Sequence, residues 1–199
     1  MYSMVQAGSM GLPYIAVRGL LGSDLLKYRP DLKVQQNPFN SGEEVAVAQP
    51  IRPEVAVFHA LKADRWGNAV TPGLRDDLTM ARASRRVVVT AEEIVDGELS
   101  PRDALANTFL PALDVDAVVH APFGSHPCSC GSSYPVDDRH VKEYLDAAKS
   151  EETFRAYLEK YVFSVSNHQE YLRKVGLAAA ALKGELPWSI RFPNTPRKN

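Results

Sequence analysis

Short apolar runs alternate along this chain with segments whose apolar residues recur at a helical period. Four runs have the length and β-branched content of buried strands, and the last three are apolar on both faces; they are PYIAVRG, EVAVFHA, RRVVVTAEEIV and VDAVVHAP. Between the second and third runs, LRDDLTMARAS has near-helical spacing, which predicts a strand–helix–strand crossover. The pattern predicts an α/β fold with a mostly parallel sheet flanked by helices.

The second half of the chain changes character. SPRDALANTF predicts the start of a helix, with Ser100 as N-cap and Pro101 at the first helical position. From Asp137 onward the pattern is amphipathic and free of strands, so a helical C-terminal segment is expected. Prolines and polar residues dominate the last stretch, ELPWSIRFPNTPRKN. We therefore predict one domain over residues 1–184 and a loose tail over 185–199.

The opening of the chain departs from the usual order of such a fold. A doubly wound sheet normally opens with a strand, a glycine-rich turn and a helix. Here the first apolar run begins at residue 13, and barely a helical turn is expected before it. Either that opening unit lies on another segment, or the fold is a smaller variant.

Composition and charge narrow the class of protein. The chain has 199 residues, 45% of them hydrophobic, which is enough for one buried core. Its 23 basic and 24 acidic residues give a net charge of −1, so neither nucleic acid nor an anionic membrane is an expected partner. No apolar stretch approaches the ~20 residues of a membrane span, and the two cysteines do not suggest a disulfide framework. A cytoplasmic location is the expectation.

The strongest candidate site follows the second apolar run. That run ends at His59, and the turn after it contains Asp64, Gly67 and Asn68. Ligands of α/β folds bind beyond the carboxyl ends of the strands, which makes these side chains candidates for ligand contacts. The same residues also suit a purely structural turn, because Asp and Asn cap loops and Gly67 can take a positive φ. Both interpretations stay open.

Two further segments carry candidate residues. Arg18 follows the first apolar run and precedes Gly22 and Ser23, an arrangement that can offer a guanidinium group and backbone N–H groups to a carboxylate or thioester oxygen. A surface salt bridge is the alternative for Arg18. Gly124 and His126 follow the last apolar run and can line the same cleft. Glu92 and Glu93 follow a strand, where charged side chains are usually solvated.

Four ordered segments resemble one known family. VFHALKADRWGN is similar to the strand–loop signature of the α subunits of family I CoA-transferases, of the kind found in glutaconate CoA-transferase. GLPYIAVRGLLGSDL resembles that family's GLP–Arg–GSD segment, and RRVVVTAEEIVDG with VDAVVHAPFGSHP resembles its strand pair ending in Gly-x-His-Pro. FRAYLEKYVFSVSNHQEYLRKVG resembles its C-terminal helices, so the resemblance runs from about residue 7 to 176.

The resemblance implies a sugar-isomerase-like α/β fold and an enzyme of two subunits, α and β. In that family a glutamate attacks an acyl-CoA thioester and then carries CoA as a glutamyl thioester to an acceptor acid. The glutamate of the two-subunit branch lies on the β subunit, so none is expected here, and this chain would be inactive alone. Coenzyme A enters as a substrate, and a heterodimer or heterotetramer is expected. The implied substrate-binding residues are Arg18, Gly22, Ser23, His59, Asp64, Asn68, Gly124 and His126.

Other functions remain open at this stage. A hydrolase or decarboxylase of CoA thioesters would keep the ligand and change the reaction, and a non-catalytic scaffold would only complete a partner's site. Cys128 and Cys130 next to His126 suggest either a reactive thiol or a metal site. With His140 as the nearest further ligand, a closed four-ligand zinc site is not expected. We therefore predict no bound metal.

Overall fold

The computed structural model describes residues 1–17, 19–131 and 133–178. Its helices are α1 (Tyr2–Ser9), α2 (Leu25–Tyr28), α3 (Asp77–Ala83), α4 (Asp138–Ala147), α5 (Glu151–Leu158) and α6 (His168–Val175). Its strands are β1 (Ile15–Val17), β2 (Leu32–Gln36), β3 (Glu44–Ala48), β4 (Val55–Ala60), β5 (Lys62–Asp64), β6 (Ala69–Thr71), β7 (Arg86–Ala91), β8 (Ile94–Val95), β9 (Thr108–Leu110) and β10 (Ala117–His120).

A parallel sheet of three strands, ordered β10–β7–β4, forms the centre of the fold. Alternate residues of β4 and β7 point into the main core, where Ala56, Phe58, Val87 and Val89 are buried. Helix α3 packs against this core through Leu78 and Met80. The predicted α/β fold is confirmed, and so is the helical crossover between β4 and β7, although β5 and β6 precede α3 within it.

Two other sheets contain most of the antiparallel pairs. Strand β1, expected to be a buried strand of the main sheet, instead pairs antiparallel with β3 in a separate sheet ordered β1–β3–β2. Its central residue, Ala16, is exposed. A mixed sheet ordered β8–β5–β6–β9 flanks the centre, and only β5 and β8 run parallel in it. Parallel pairing is thus concentrated in the central sheet.

Two local expectations need correction. The chain opens with the eight-residue helix α1 rather than with barely one turn, and the Met4 carbonyl of this helix accepts the Ile51 N–H at 2.9 Å. The segment after Ser100 forms only a 3₁₀ turn, Pro101–Asp103. The N-cap position of Ser100 was correct, since its N–H and hydroxyl both donate to the Asp103 carboxylate.

The helical C-terminal segment is confirmed over the described residues. Side chains cap the starts of three helices, because Asp137, Ser150 and Asn167 each accept a backbone N–H of the following turn. A π-helical turn, Glu159–Phe163, extends α5. Leu172 and Leu177 pack against the loop after β10, which fixes these helices beside the carboxyl end of the central sheet. Within the described part of the chain, no helix has the length and apolarity to span a membrane.

Candidate active site at the carboxyl edge of the central sheet

The carboxyl ends of β4 and β7 bring a histidine and a glutamate together. In the parallel register His59 lies beside Thr90, and Glu92 follows the end of β7. The Nε2 atom of His59 forms a short hydrogen bond with the Glu92 carboxylate, and its Nδ1 atom lies 2.8 Å from the Thr90 hydroxyl. The carboxylate can only accept, so Nε2 carries the proton and Nδ1 accepts from Thr90. Both ring nitrogens of His59 are therefore engaged.

Glu92 is the acceptor at the centre of this network. Its carboxylate also accepts the Phe123 N–H at 2.7 Å and the Tyr134 hydroxyl at 2.7 Å. The Glu92 side chain is only 11% exposed, so the expectation of a solvated carboxylate was wrong. We call His59, Thr90, Glu92 and Tyr134 the His59 cluster. It ties two strand ends to the loop after β10, where ligands of α/β folds bind.

Burial changes the ionisation of the groups around Glu92. The pKa of the Tyr134 hydroxyl is raised, first by burial and then by its hydrogen bond to Glu92. Burial and the nearby Glu92 charge raise the pKa of the Cys130 thiol to about 12. Only a thiolate is a strong nucleophile, so Cys130 is a packed residue rather than a reactive one. Cys128, by contrast, is exposed.

Gly124 makes the close approach of the loop to His59 possible. A Cβ atom at this position would lie 2.6 Å from His59 Cε1 and 2.8 Å from the Ala121 carbonyl oxygen. Any larger residue would therefore have to displace either the histidine ring or the loop backbone. Among the predicted site residues, the structure brings His59 and Gly124 into direct contact.

His126 lies in a second network, which it forms with Asp137, His140 and Tyr171. Its Nδ1 atom lies 2.6 Å from the Tyr171 hydroxyl and its Nε2 atom 3.2 Å from the Asp137 carboxylate. Asp137 also caps α4 by accepting the His140 N–H. We call these four residues the His126 cluster. The His126 side chain is 1% exposed, so substrate binding by His126 stays a prediction that its burial disfavours.

Asp64 and Asn68 organise the hairpin between β5 and β6. One oxygen of the fully buried Asp64 carboxylate accepts three backbone N–H groups of the turn, and the other accepts from Asn68 Nδ2 and the Leu99 N–H. Burial opposes ionisation of Asp64, but these hydrogen bonds outweigh it and lower its pKa. Asn68 Oδ1 accepts the Ala112 N–H at 2.8 Å. These bonds account for both residues structurally.

The Arg18 segment is only partly described. Arg18 itself lies outside the described residues. Gly22 has a φ of +75° and stands in the loop between β1 and α2. The Ser23 hydroxyl is buried without a hydrogen-bond partner. Buried hydroxyl groups are normally paired, so this atom is free to bond a polar group that the chain does not supply.

Two groups of possible metal ligands occur in the described residues. His59, Glu92 and Cys130 form one, and His126, Asp137 and His140 form the other. The proposed grouping of Cys128 and Cys130 with His126 is not assembled, because Cys130 approaches Glu92 and His59 instead. The hydrogen bonds of His59 and His126 described above occupy their ring nitrogens.

Sequence reasoning missed Thr90, Glu92 and Tyr134. A signal existed for the first two, since in adjacent parallel strands the residues beyond one strand end meet those at the other. Applied to EVAVFHA and RRVVVTAEE, this rule places Thr90 and Glu92 beside His59. Tyr134 lies in an irregular loop, for which no periodicity exists.

Comparison with known proteins identifies the family. The profile described as Coenzyme A transferase matches residues 1–121. The α-type subunit of 3-oxoadipate CoA-transferase from Pseudomonas knackmussii is 37% identical over 170 residues, which are 85% of this chain and 59% of that protein. The chain belongs to the coenzyme A transferase family, as its sequence motifs predicted.

Solved structures agree with this assignment. Glutaconate CoA-transferase from Acidaminococcus fermentans superposes with a TM-score of 0.79 and 33% identity, covering 92% of this chain and 62% of that one. The decarboxylase AibA/AibB superposes with a TM-score of 0.65 and 34% identity, covering 78% of this chain and 57% of that one. The chain thus spans about three fifths of the length of these relatives.

Proposed function

We propose that this chain supplies the α-type part of a coenzyme A transferase, which moves CoA between an acyl-CoA and a carboxylic acid. The observation that carries the proposal is the superposition on glutaconate CoA-transferase, with a TM-score of 0.79 over 92% of this chain. The His59 cluster supports it, because a rigid polar network stands at the edge of the sheet where ligands of α/β folds bind. The expected partner is a β-type subunit, in a heterodimer or heterotetramer.

The covalent steps belong to a glutamate of that partner. Its carboxylate attacks the thioester carbonyl, the C–S bond breaks, and CoA leaves as a thiolate while a mixed anhydride forms. The thiolate then attacks the glutamyl carbonyl and releases the donor acid, which leaves CoA on the glutamate. The acceptor carboxylate reverses these two steps. Glu92 is not the nucleophile in this scheme, since both of its oxygens accept hydrogen bonds inside the fold.

The contribution of this chain is to bind and orient the substrate. The His59 cluster fixes the loop after β10 without presenting a free ring nitrogen, so His59 shapes the site rather than exchanging protons. The unpaired Ser23 hydroxyl is available to a substrate oxygen. Arg18, five residues earlier in the chain, offers the charge that a carboxylate or thioester oxygen requires.

The direct test mixes this chain with a β-type subunit, an acyl-CoA and a free acid, and follows the exchanged thioester by mass spectrometry. Exchange is expected only when both subunits are present. Release of free CoA or CO₂ without exchange would instead support the hydrolase or decarboxylase alternative, and exchange by the chain alone would contradict the dependence on a partner.

Variants of the Arg18 segment test the site. Arg18→Ala and Ser23→Ala should raise KM or lower kcat, by about tenfold or more for the charged group and about threefold to tenfold for the hydroxyl. Removing an unpaired hydroxyl should leave the melting temperature of the chain unchanged. Arg155→Ala is the matched control, because Arg155 is exposed on α5. Unchanged exchange rates in both site variants would favour the scaffold alternative.

A further inference from the structure

One face of the central parallel sheet is apolar and open. The side chains on this face alternate with those of the main core, and the register places Val57, Val88 and Ala117 in one row across the three strands. The next row contains His59, Thr90 and Val119. Val55 is 54% exposed, Val57 66% and Val119 48%. We call Val55, Val57, Val88 and Val119 the valine face.

Such a face is unusual for parallel strands. Parallel sheets occur almost always with both faces covered, because their crossover helices lie on the two sides. Here α3 covers only the face that carries Phe58 and Val89. The exposure of three valines shows that none of the described residues packs closely over the valine face. A contiguous apolar patch of this kind marks a surface that binds another polypeptide.

The comparison with glutaconate CoA-transferase indicates which polypeptide this is. The superposition covers 92% of this chain but only 62% of the other. The remaining part of such a subunit must pack against the part that the two proteins share. The open apolar side of the shared sheet is the surface where a helix of that remainder would bury the most aliphatic area.

We propose that the valine face binds an amphipathic α-helix from the portion of the coenzyme A transferase fold that these 199 residues do not span. The helix presents an aliphatic stripe, repeated every three to four residues, to Val55, Val57 and Val119. His59 and Thr90 continue the same face at its carboxyl end. The bound helix therefore borders the His59 cluster and forms one wall of the candidate site.

Binding at the valine face can be tested without any activity measurement. The part of the Acidaminococcus fermentans protein that lies outside the superposed region is co-expressed with this chain as a separate polypeptide. Size-exclusion chromatography with light scattering then reports the mass of the product. A one-to-one complex of the two polypeptides is expected for the unaltered chain.

Two substitutions of exposed valines decide where the polypeptide binds. Val57→Lys places a charge in the centre of the valine face and should abolish the complex. Val162→Lys is the matched control, since Val162 is 50% exposed but lies in the turn Glu159–Phe163. Both side chains are already solvated, so circular dichroism of each variant chain should match that of the unaltered chain.

Three outcomes would overturn the proposal. The first is the absence of any complex with the supplied polypeptide. The second is a complex that Val57→Lys and Val162→Lys affect equally. The third is a dimer of this chain alone that Val57→Lys dissociates, which would make a second copy the occupant of the valine face.

Discussion

The His59 cluster and the His126 cluster contain the same three kinds of group, a histidine, a carboxylate and a tyrosine. In the first, the carboxylate of Glu92 receives donors from two strands and a loop. In the second, the carboxylate of Asp137 caps a helix with one oxygen and faces His126 with the other. The side chains of the first pair are 12% and 11% exposed, whereas those of the second are 1% and 3% exposed.

The difference shows that position in the fold, rather than residue type, separates a candidate site from a structural network. The His59 cluster stands where parallel strands end, so its rigidity is transmitted to a surface that ligands can reach. The His126 cluster fastens α4 and α6 to the loop after β10, and the rings of His126 and His140 pack edge to face at 5.0 Å. Its buried polar groups stabilise the fold without facing solvent.

The strongest way to break the comparison is to remove the central acceptor of the His59 cluster. Glu92→Ala leaves a histidine, a tyrosine and a backbone N–H without their partner. We expect the free energy of unfolding to fall by about 3–5 kcal/mol, the range for a buried pair that loses one member. Urea denaturation of the purified chain measures this value.

Glu93 provides the control for this substitution, because it is the adjacent glutamate and is exposed. Glu93→Ala should change the free energy of unfolding by no more than about 0.5 kcal/mol. If the two variants lost similar stability, Glu92 would not be the organising acceptor of the cluster.

A smaller effect is expected from crowding the contact between the loop and His59. Gly124→Ala places a methyl group 2.6 Å from His59 Cε1, so the ring or the loop must move. Overpacking of this kind costs about 1–3 kcal/mol, and the imidazole NMR signals of His59 should shift.

Gly97→Ala is the matched control, since a Cβ atom there meets nothing within 4 Å. It should change stability by less than about 1 kcal/mol. Equal effects of the two alanines would show that the loss at Gly124 comes from backbone entropy and not from the contact with His59.

The fold could be predicted from sequence where one periodicity extended over a whole element. EVAVFHA, RRVVVTAEEIV and VDAVVHAP are apolar at successive positions, and they form the parallel sheet. PYIAVRG has similar composition, yet its strand pairs antiparallel with β3. Short strands carry no information about their partners, which are chosen by tertiary packing.

The candidate site was predictable only in part, for a related reason. His59 and Gly124 could be found because each lies in a motif next to a strand end. Asp64 and Asn68 could not be assigned a role, because the donors around Asp64 include Leu99, which is 35 residues away. Tyr134 was missed since it reaches Glu92 across 42 residues from an irregular loop. Long-range partners of this kind require the folded structure.

The smallest expected effect concerns pH and compares the clusters through ionisation. Burial lowers the pKa of His126, although Asp137 partly opposes the shift, and burial also lowers the pKa of His140. The unfolded chain, with histidine pKa values of about 6.5, therefore binds more protons than the folded chain just below that pH. Stability is complete above about 6.5 and is lost as the pH falls through the window beneath it, because stability rises with pH wherever the unfolded state binds more protons.

His126→Gln should reduce this slope by up to about 1.4 kcal/mol per pH unit, the value for one proton. Urea denaturation at a series of pH values below about 6.5 measures the slope for both proteins, and above about pH 7 the two should run parallel. Identical slopes in the lower range would mean that His126 is protonated as readily in the fold as in the unfolded chain. Its network would then accommodate a charge, and the contrast with the His59 cluster would rest on exposure alone.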